Sequence, residues 1–100
     1  MLGGYGELHF LSEDEQRVFD DAVKIIKSSK SKMKKYSAYV PLLEHYAEVR
    51  VKVQIVAGRN YCFEITTTSE EIPQLFMKVF EGLPHNPQLK VKYLGTESDC

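Results

Sequence analysis

A chain of 100 residues with 43% hydrophobic and 11% aromatic residues suits one domain with a single modest core, spanning 1–100. Its formal net charge of −1 gives no general attraction to nucleic acid or to an anionic membrane, so neither is expected as a partner. No run approaches the roughly 20 apolar residues of a membrane span, and the start lacks the basic and apolar regions of a secretory signal peptide.

Met1-Leu2-Gly3-Gly4-Tyr5-Gly6 has little conformational preference of its own and reads as an arm that either frays or orders on a partner. Residues 7–11 are expected to form a short first strand. Ser12-Glu13-Asp14-Glu15 reads as a capping box, with Ser12 as N-cap and Glu15 reaching back. Val18, Phe19, Ala22, Val23, Ile25, Ile26 and Met33 then form one apolar stripe at helical spacing. With only one helix expected, that stripe needs a sheet to face. Residues 28–35 carry Lys30, Lys32, Lys34 and Lys35 without interleaved aromatics, and a solvated helix end explains them better than a phosphate-binding patch. Pro41 interrupts residues 36–45, where a bulge or extra loop is expected.

Val49, Val51, Val53 and Ile55 alternate with Arg50, Lys52 and Gln54; Tyr61, Phe63 and Ile65 alternate with Cys62, Glu64 and Thr66. Two such runs, 46–56 and 60–68, around a short Gly-containing break predict a β-hairpin. Its tip is apolar until Arg59, although hairpin tips usually face water with polar residues. After a polar, Pro-containing connection, Leu75, Met77 and Val79 mark another strand, 81–87 a turn, and Leu89, Val91 and Tyr93 a last strand. Residues 95–100 read as a loose tail. Two cysteines, Cys62 and Cys100, are too few for a dense disulfide framework. Free thiols and a cytoplasmic setting are expected, with Cys100 exposed.

The fold class predicted is α+β: one long helix packed across an antiparallel sheet of four to five strands, its apolar face built from the odd-numbered strand positions. In a meander, alternate turns lie at one end of the sheet. The tip at Val56, the turn at Leu83-Pro84 and the arm around Leu2 and Gly4 are therefore expected to converge.

Gln54-Ile55-Val56-Ala57-Gly58 resembles the QxVxG motif of the cystatins, protein inhibitors of papain-like cysteine proteases. Val56-Ala57-Gly58-Arg59-Asn60-Tyr61 is similar to the stefin branch in particular. The likeness extends over nearly the whole chain: the glycine arm, the capped helix, and Lys78-Val79-Phe80 leading into Leu83-Pro84-His85-Asn86. Secreted cystatins carry Pro-Trp there and two disulfides, both absent. The 36–45 connection is longer than in stefins and the end of the chain shorter. The resemblance implies a cystatin-like fold and a reversible, tight inhibitor of cathepsin-type enzymes (the B, L and H types) that fills the active-site cleft without offering a bond for cleavage. Leu2, Gly3 and Gly4 would pass along the non-primed side, Gln54, Ile55, Val56, Ala57 and Gly58 would form the central wedge, and Leu83, Pro84 and His85 the second loop.

Other chemistry has little support. His9, His45 and His85 lack metal-ligand spacing. Nothing places a histidine beside Cys62, and capping explains Glu13, Asp14 and Glu15 better than acid–base work. No enzyme activity, cofactor or metal is expected. A monomer is expected, with a domain-swapped or Cys-linked dimer as the alternative. The competing functional reading is a non-inhibitory interaction or structural module on the same fold, and unconventional secretion is the alternative to a purely cytoplasmic protein.

Overall fold

The computed structural model describes residues 4–100. The long helix, α1 (Glu13–Ser28), begins where its chemistry directs. The Glu15 N–H donates to Ser12 Oγ at 3.2 Å and the Ser12 N–H donates to Glu15 Oε1 at 2.9 Å, a complete capping box. Val18, Phe19, Ala22 and Ile26 are buried on one face. They pack on a five-stranded antiparallel sheet in the order β1-β2-β3-β4-β5, with β1 (His9–Phe10), β2 (Tyr46–Val56), β3 (Gly58–Thr67), β4 (Gln74–Glu81) and β5 (Leu89–Gly95). The fold is α+β, a helix across an open antiparallel sheet, consistent with a cystatin-like arrangement. Phe19 anchors the two layers, its ring edge-on to Phe63 at 5.2 Å and to Tyr46 at 5.5 Å.

The apolar stripe does not run on to Met33. At Ser29 the backbone turns extended (φ −105°, ψ 118°), and the Ser29 hydroxyl caps a separate short helix, α2 (Lys30–Lys35), by accepting from the Lys32 N–H at 3.3 Å. Met33 is left exposed, and Ile25 is only half-buried. Residues 36–45 hold neither bulge nor plain loop. They form a one-turn helix, α3 (Val40–Glu44), with Pro41 in its first turn, where a missing N–H leaves no bond unmade. Tyr36, Val40 and Leu43 from this region join the core.

The odd-numbered face is confirmed for Val49, Val51, Tyr61, Phe63, Ile65, Leu75, Met77 and Val79, all buried. It fails at the end of β5. Lys78 pairs with Tyr93 but Val79 with Val91, so Lys92 is an extra residue in β5. A one-residue bulge reverses the sides. Leu94 therefore faces Met77 in the core, and Tyr93 lies on the open face beside Lys78.

The two cysteines are not free thiols. Cys62 and Cys100 form a disulfide, with Cα atoms 6.3 Å apart. Cys62 lies on the open face of the sheet, and the 96–100 segment crosses that face to reach it. The pairing is intramolecular, so it overturns both the free-thiol expectation and the Cys-linked dimer, and it removes the cysteine argument for a reducing compartment. Among the described residues no helix is long and apolar enough to cross a membrane.

Between β1 and α1, His9 Nδ1–H donates to the Glu7 carbonyl at 2.8 Å and Nε2 lies 2.8 Å from Glu15 Oε2. Both nitrogens donate only when the ring is charged, so the Glu7 carbonyl and then Glu15 raise the His9 pKa above its ordinary 6.5. Burial pushes Glu15 up, but the Ser12 N–H and His9 outweigh it and leave the carboxyl below its ordinary 4.5. His9 thus stabilises fully below pH 6.5 and loses this as pH rises through its raised value; Glu15 stabilises above pH 4.5 and loses this as pH falls. Melting scans should show a small plateau between those values and a decline as pH rises above 6.5. His9→Gln should remove that decline; an unchanged profile would contradict the pairing.

Candidate functional site

The hairpin tip is built as tightly as the backbone allows. Val56 pairs with Gly58, leaving Ala57 alone at the apex. Gly58 has φ +116°, in the region that favours glycine. A Cβ there would also collide with the Glu81 carbonyl oxygen and come within 2.9 Å of the Phe80 ring. Behind the apex, Asn60 Nδ2 donates to Gln54 Oε1 at 2.9 Å, tying the two strands across the register pair Gln54–Asn60. The Gln54 side chain thus holds the hairpin shut. Ile55 is 53% exposed and Ala57 is exposed, so the apolar tip projects into solvent.

The second turn lies beside it. The Gly82 N–H donates to the Gln88 carbonyl at 2.9 Å and the Asn86 N–H to the Leu83 carbonyl at 2.8 Å, closing the loop around Leu83, Pro84 and His85. Leu83 is 41% exposed. Ile55, Val56 and Arg59 from the first turn and Glu81, Leu83 and Pro84 from the second line a cleft of about 430 Å³. Ala57 and His85 line a neighbouring hollow of about 300 Å³.

The arm approaches the same edge. Tyr5 bridges antiparallel to Gln54, and the Gly6 N–H donates to the Val53 carbonyl at 2.8 Å. Gly4 is therefore carried past the start of the tip. It is exposed, and a Cβ on it would meet nothing within 4 Å. The fold itself does not require glycine there. Leu2 and Gly3 lie outside the described residues.

Three charged side chains support the edge from behind. Glu81, at the end of β4, accepts from the Tyr61 hydroxyl at 3.0 Å and from Arg17 Nη2 on α1, also at 3.0 Å. Arg17 in turn donates through Nε to Asp14 Oδ1 at 3.1 Å. Glu81 and then Asp14 hold the Arg17 pKa above its ordinary value. Burial raises the Tyr61 phenol. Tyr61, followed by Glu81, keeps the exposed Arg59 guanidinium firmly charged. These groups fix the second turn to the helix and leave Arg59 as the cation on the rim of the cleft.

Scans against protein-family models, curated proteins and solved structures found no match.

Of the residues singled out by sequence, Gly4, Gln54, Ile55, Val56, Ala57, Gly58, Leu83, Pro84 and His85 are brought to one edge of the sheet. Arg59, Glu81, Arg17 and Tyr61 were not among them. Arg59 and Glu81 adjoin the two turns in sequence and face each other in the β3–β4 register, which strand pairing alone could have revealed. Among the described residues no group of three or more His, Cys, Asp or Glu side chains forms a metal site.

Proposed function

We propose that the chain is a reversible protein inhibitor of papain-like cysteine proteases, of the stefin type, and not an enzyme. The observation that carries the reading is the shared edge: two exposed apolar turns side by side, with the glycine arm bridged onto the first through Tyr5 and Gln54. A row of this shape matches a long, narrow substrate cleft. Gly4 enters first, Val56 and Ala57 approach the cysteine nucleophile, and Leu83 with Pro84 covers the far side. Val56 and Ala57 are small enough for close approach. The tip is locked by Gly58 and the Gln54–Asn60 bond, so little freedom is lost on binding. The chain reverses at Ala57 and Gly58, so no extended run continues through the apex for a protease subsite to hold, which makes the wedge a poor substrate. The partner is cathepsin-like and the action cytoplasmic in this proposal, with unconventional secretion the other route.

Titrating papain with the protein tests it. A stoichiometric loss of peptidase activity at submicromolar concentration is expected. Undiminished activity at micromolar inhibitor would sink the proposal and leave a non-inhibitory interaction module in its place. Gly4→Arg adds bulk where the fold has open space. It should weaken inhibition about tenfold or more, equivalent to about 1.4 kcal/mol, with an unchanged melting temperature. Equal inhibition by wild type and this variant would remove the arm from the wedge.

A further inference from the structure

The face of the sheet turned away from α1 carries an arrangement the inhibitor reading does not use. Cys62 is 1% exposed in the middle of that face, and its disulfide partner Cys100 lies exposed above it. The register places Lys52 on one side of Cys62 and Lys78 on the other. Side chains directly opposite in an antiparallel pair have Cβ atoms about 4.5–5.5 Å apart. Lys52 and Lys78 are thus the two cross-strand neighbours of Cys62, each with an ammonium group on a side chain rooted beside it. The other charged or titratable groups around it are Arg50 from β2, Glu64 from its own strand, Tyr93 from β5, and Tyr5, Glu97 and Asp99 from the two segments that meet over this face.

We propose that Cys62–Cys100 is a thiol-exchange site for small thiols of the glutathione class. The thiolate of the small molecule attacks the exposed Cys100 sulfur. The Cys62–Cys100 bond breaks, and its electron pair leaves on Cys62 as a thiolate held between Lys52 and Lys78. The product is a mixed disulfide on Cys100. A second small thiolate attacks the small-molecule sulfur of that mixed disulfide and releases Cys100 as a thiolate. In total, two small thiols are oxidised to one disulfide and the protein disulfide is reduced by two electrons; each attacking thiol gives its proton to water. The polarity follows from access and leaving group. Attack is open only at Cys100, and a leaving thiolate is favoured by nearby cations.

The site has a mechanical consequence. Tyr5, in the arm, bridges to Gln54 of β2, the strand that carries Lys52. Lys52 Nζ stands 5.5 Å over its ring, and its hydroxyl is buried without a hydrogen-bond partner among the described residues. Burial, and secondly the Asp99 carboxylate of the 96–100 segment, raise the phenol pKa. Opening the disulfide frees that segment, lets water reach the Tyr5 hydroxyl, and loosens the Tyr5–Gln54 bridge that positions Gly4.

The test treats the oxidised protein with reduced glutathione, quenches with acid and maps the product by mass. Glutathione should appear first on Cys100 and never first on Cys62. The Lys52→Gln/Lys78→Gln double variant should react about three- to tenfold more slowly, while Lys52→Arg/Lys78→Arg keeps the wild-type rate. Hydrogen exchange at the Gly6 amide should quicken on reduction, and Cys100→Ser should already show the faster exchange. Modification first at Cys62, an equal rate in the Gln variant, or unchanged exchange at Gly6 would each overturn the proposal. None of these readouts involves a protease, so they stand apart from the inhibitor reading.

Discussion

Val56→Asp should raise the inhibition constant for papain by about a hundredfold or more while moving the melting temperature by less than about 4 °C. A hundredfold corresponds to about 2.7 kcal/mol. That is a modest cost for forcing an unpaired carboxylate into a closed interface. The folded chain has no comparable objection. Val56 sits at the end of β2, next to the apex, and lines the open cleft rather than the core. Substitutions at such surface positions usually stay within about 0.5 kcal/mol, and a kilocalorie moves the melting temperature of a domain this size by about 4–8 °C. Steady-state inhibition and a thermal scan on one sample separate the two effects. Unaltered inhibition by the Asp variant would remove the tip from the contact.

Phe19→Ala should have the opposite profile. Phe19 is 1% exposed and packs edge-on against rings from the adjacent strands β2 and β3, Tyr46 and Phe63. Truncating a buried phenylalanine costs about 3–5 kcal/mol, because the cavity closes only in part. The melting temperature should fall by on the order of 15–25 °C, seen equally in guanidinium denaturation. The fraction still folded at 25 °C should inhibit papain with nearly the wild-type constant, since Phe19 packs on Tyr46 at the end of β2 opposite the tip and lines neither hollow at the turns. A small stability loss would mean that α1 does not close the core as described.

The contrast between these variants reflects which features local chemistry encodes. The Ser12–Glu15 capping box and the alternation around Val49 and Phe63 are decided within a few residues, and both were legible. The pattern misled where a longer-range choice intervened. Lys92 looks like any polar strand residue, yet it is the bulge that sends Leu94 inward and Tyr93 outward. The break at Ser29 depends on a capping bond to Lys32 that competes with continuation of α1, and Met33 is lost from the core with it. One-turn helices such as α3 are below the length at which sequence alone makes a helix stable, so packing of Val40 and Leu43 decides its form. The disulfide joins residues 38 apart in sequence, and only the sheet shows that Cys62 and Cys100 come within bonding distance.

At the candidate site the apolar tip, its glycine and the second turn were legible because they are contiguous motifs. The Arg17–Glu81–Tyr61 support was not, since its members are on α1, β4 and β3 and meet only in the folded chain.

The central claim is that three separate segments enter one cleft together. Hydrogen exchange of the protein, alone and saturated with papain, tests this most directly. The account predicts that protection rises together at residues 4–6, 54–58 and 83–87 and stays unchanged across α1 and the centre of the open sheet face. Protection confined to one segment, or appearing instead on the α1 surface, would contradict it.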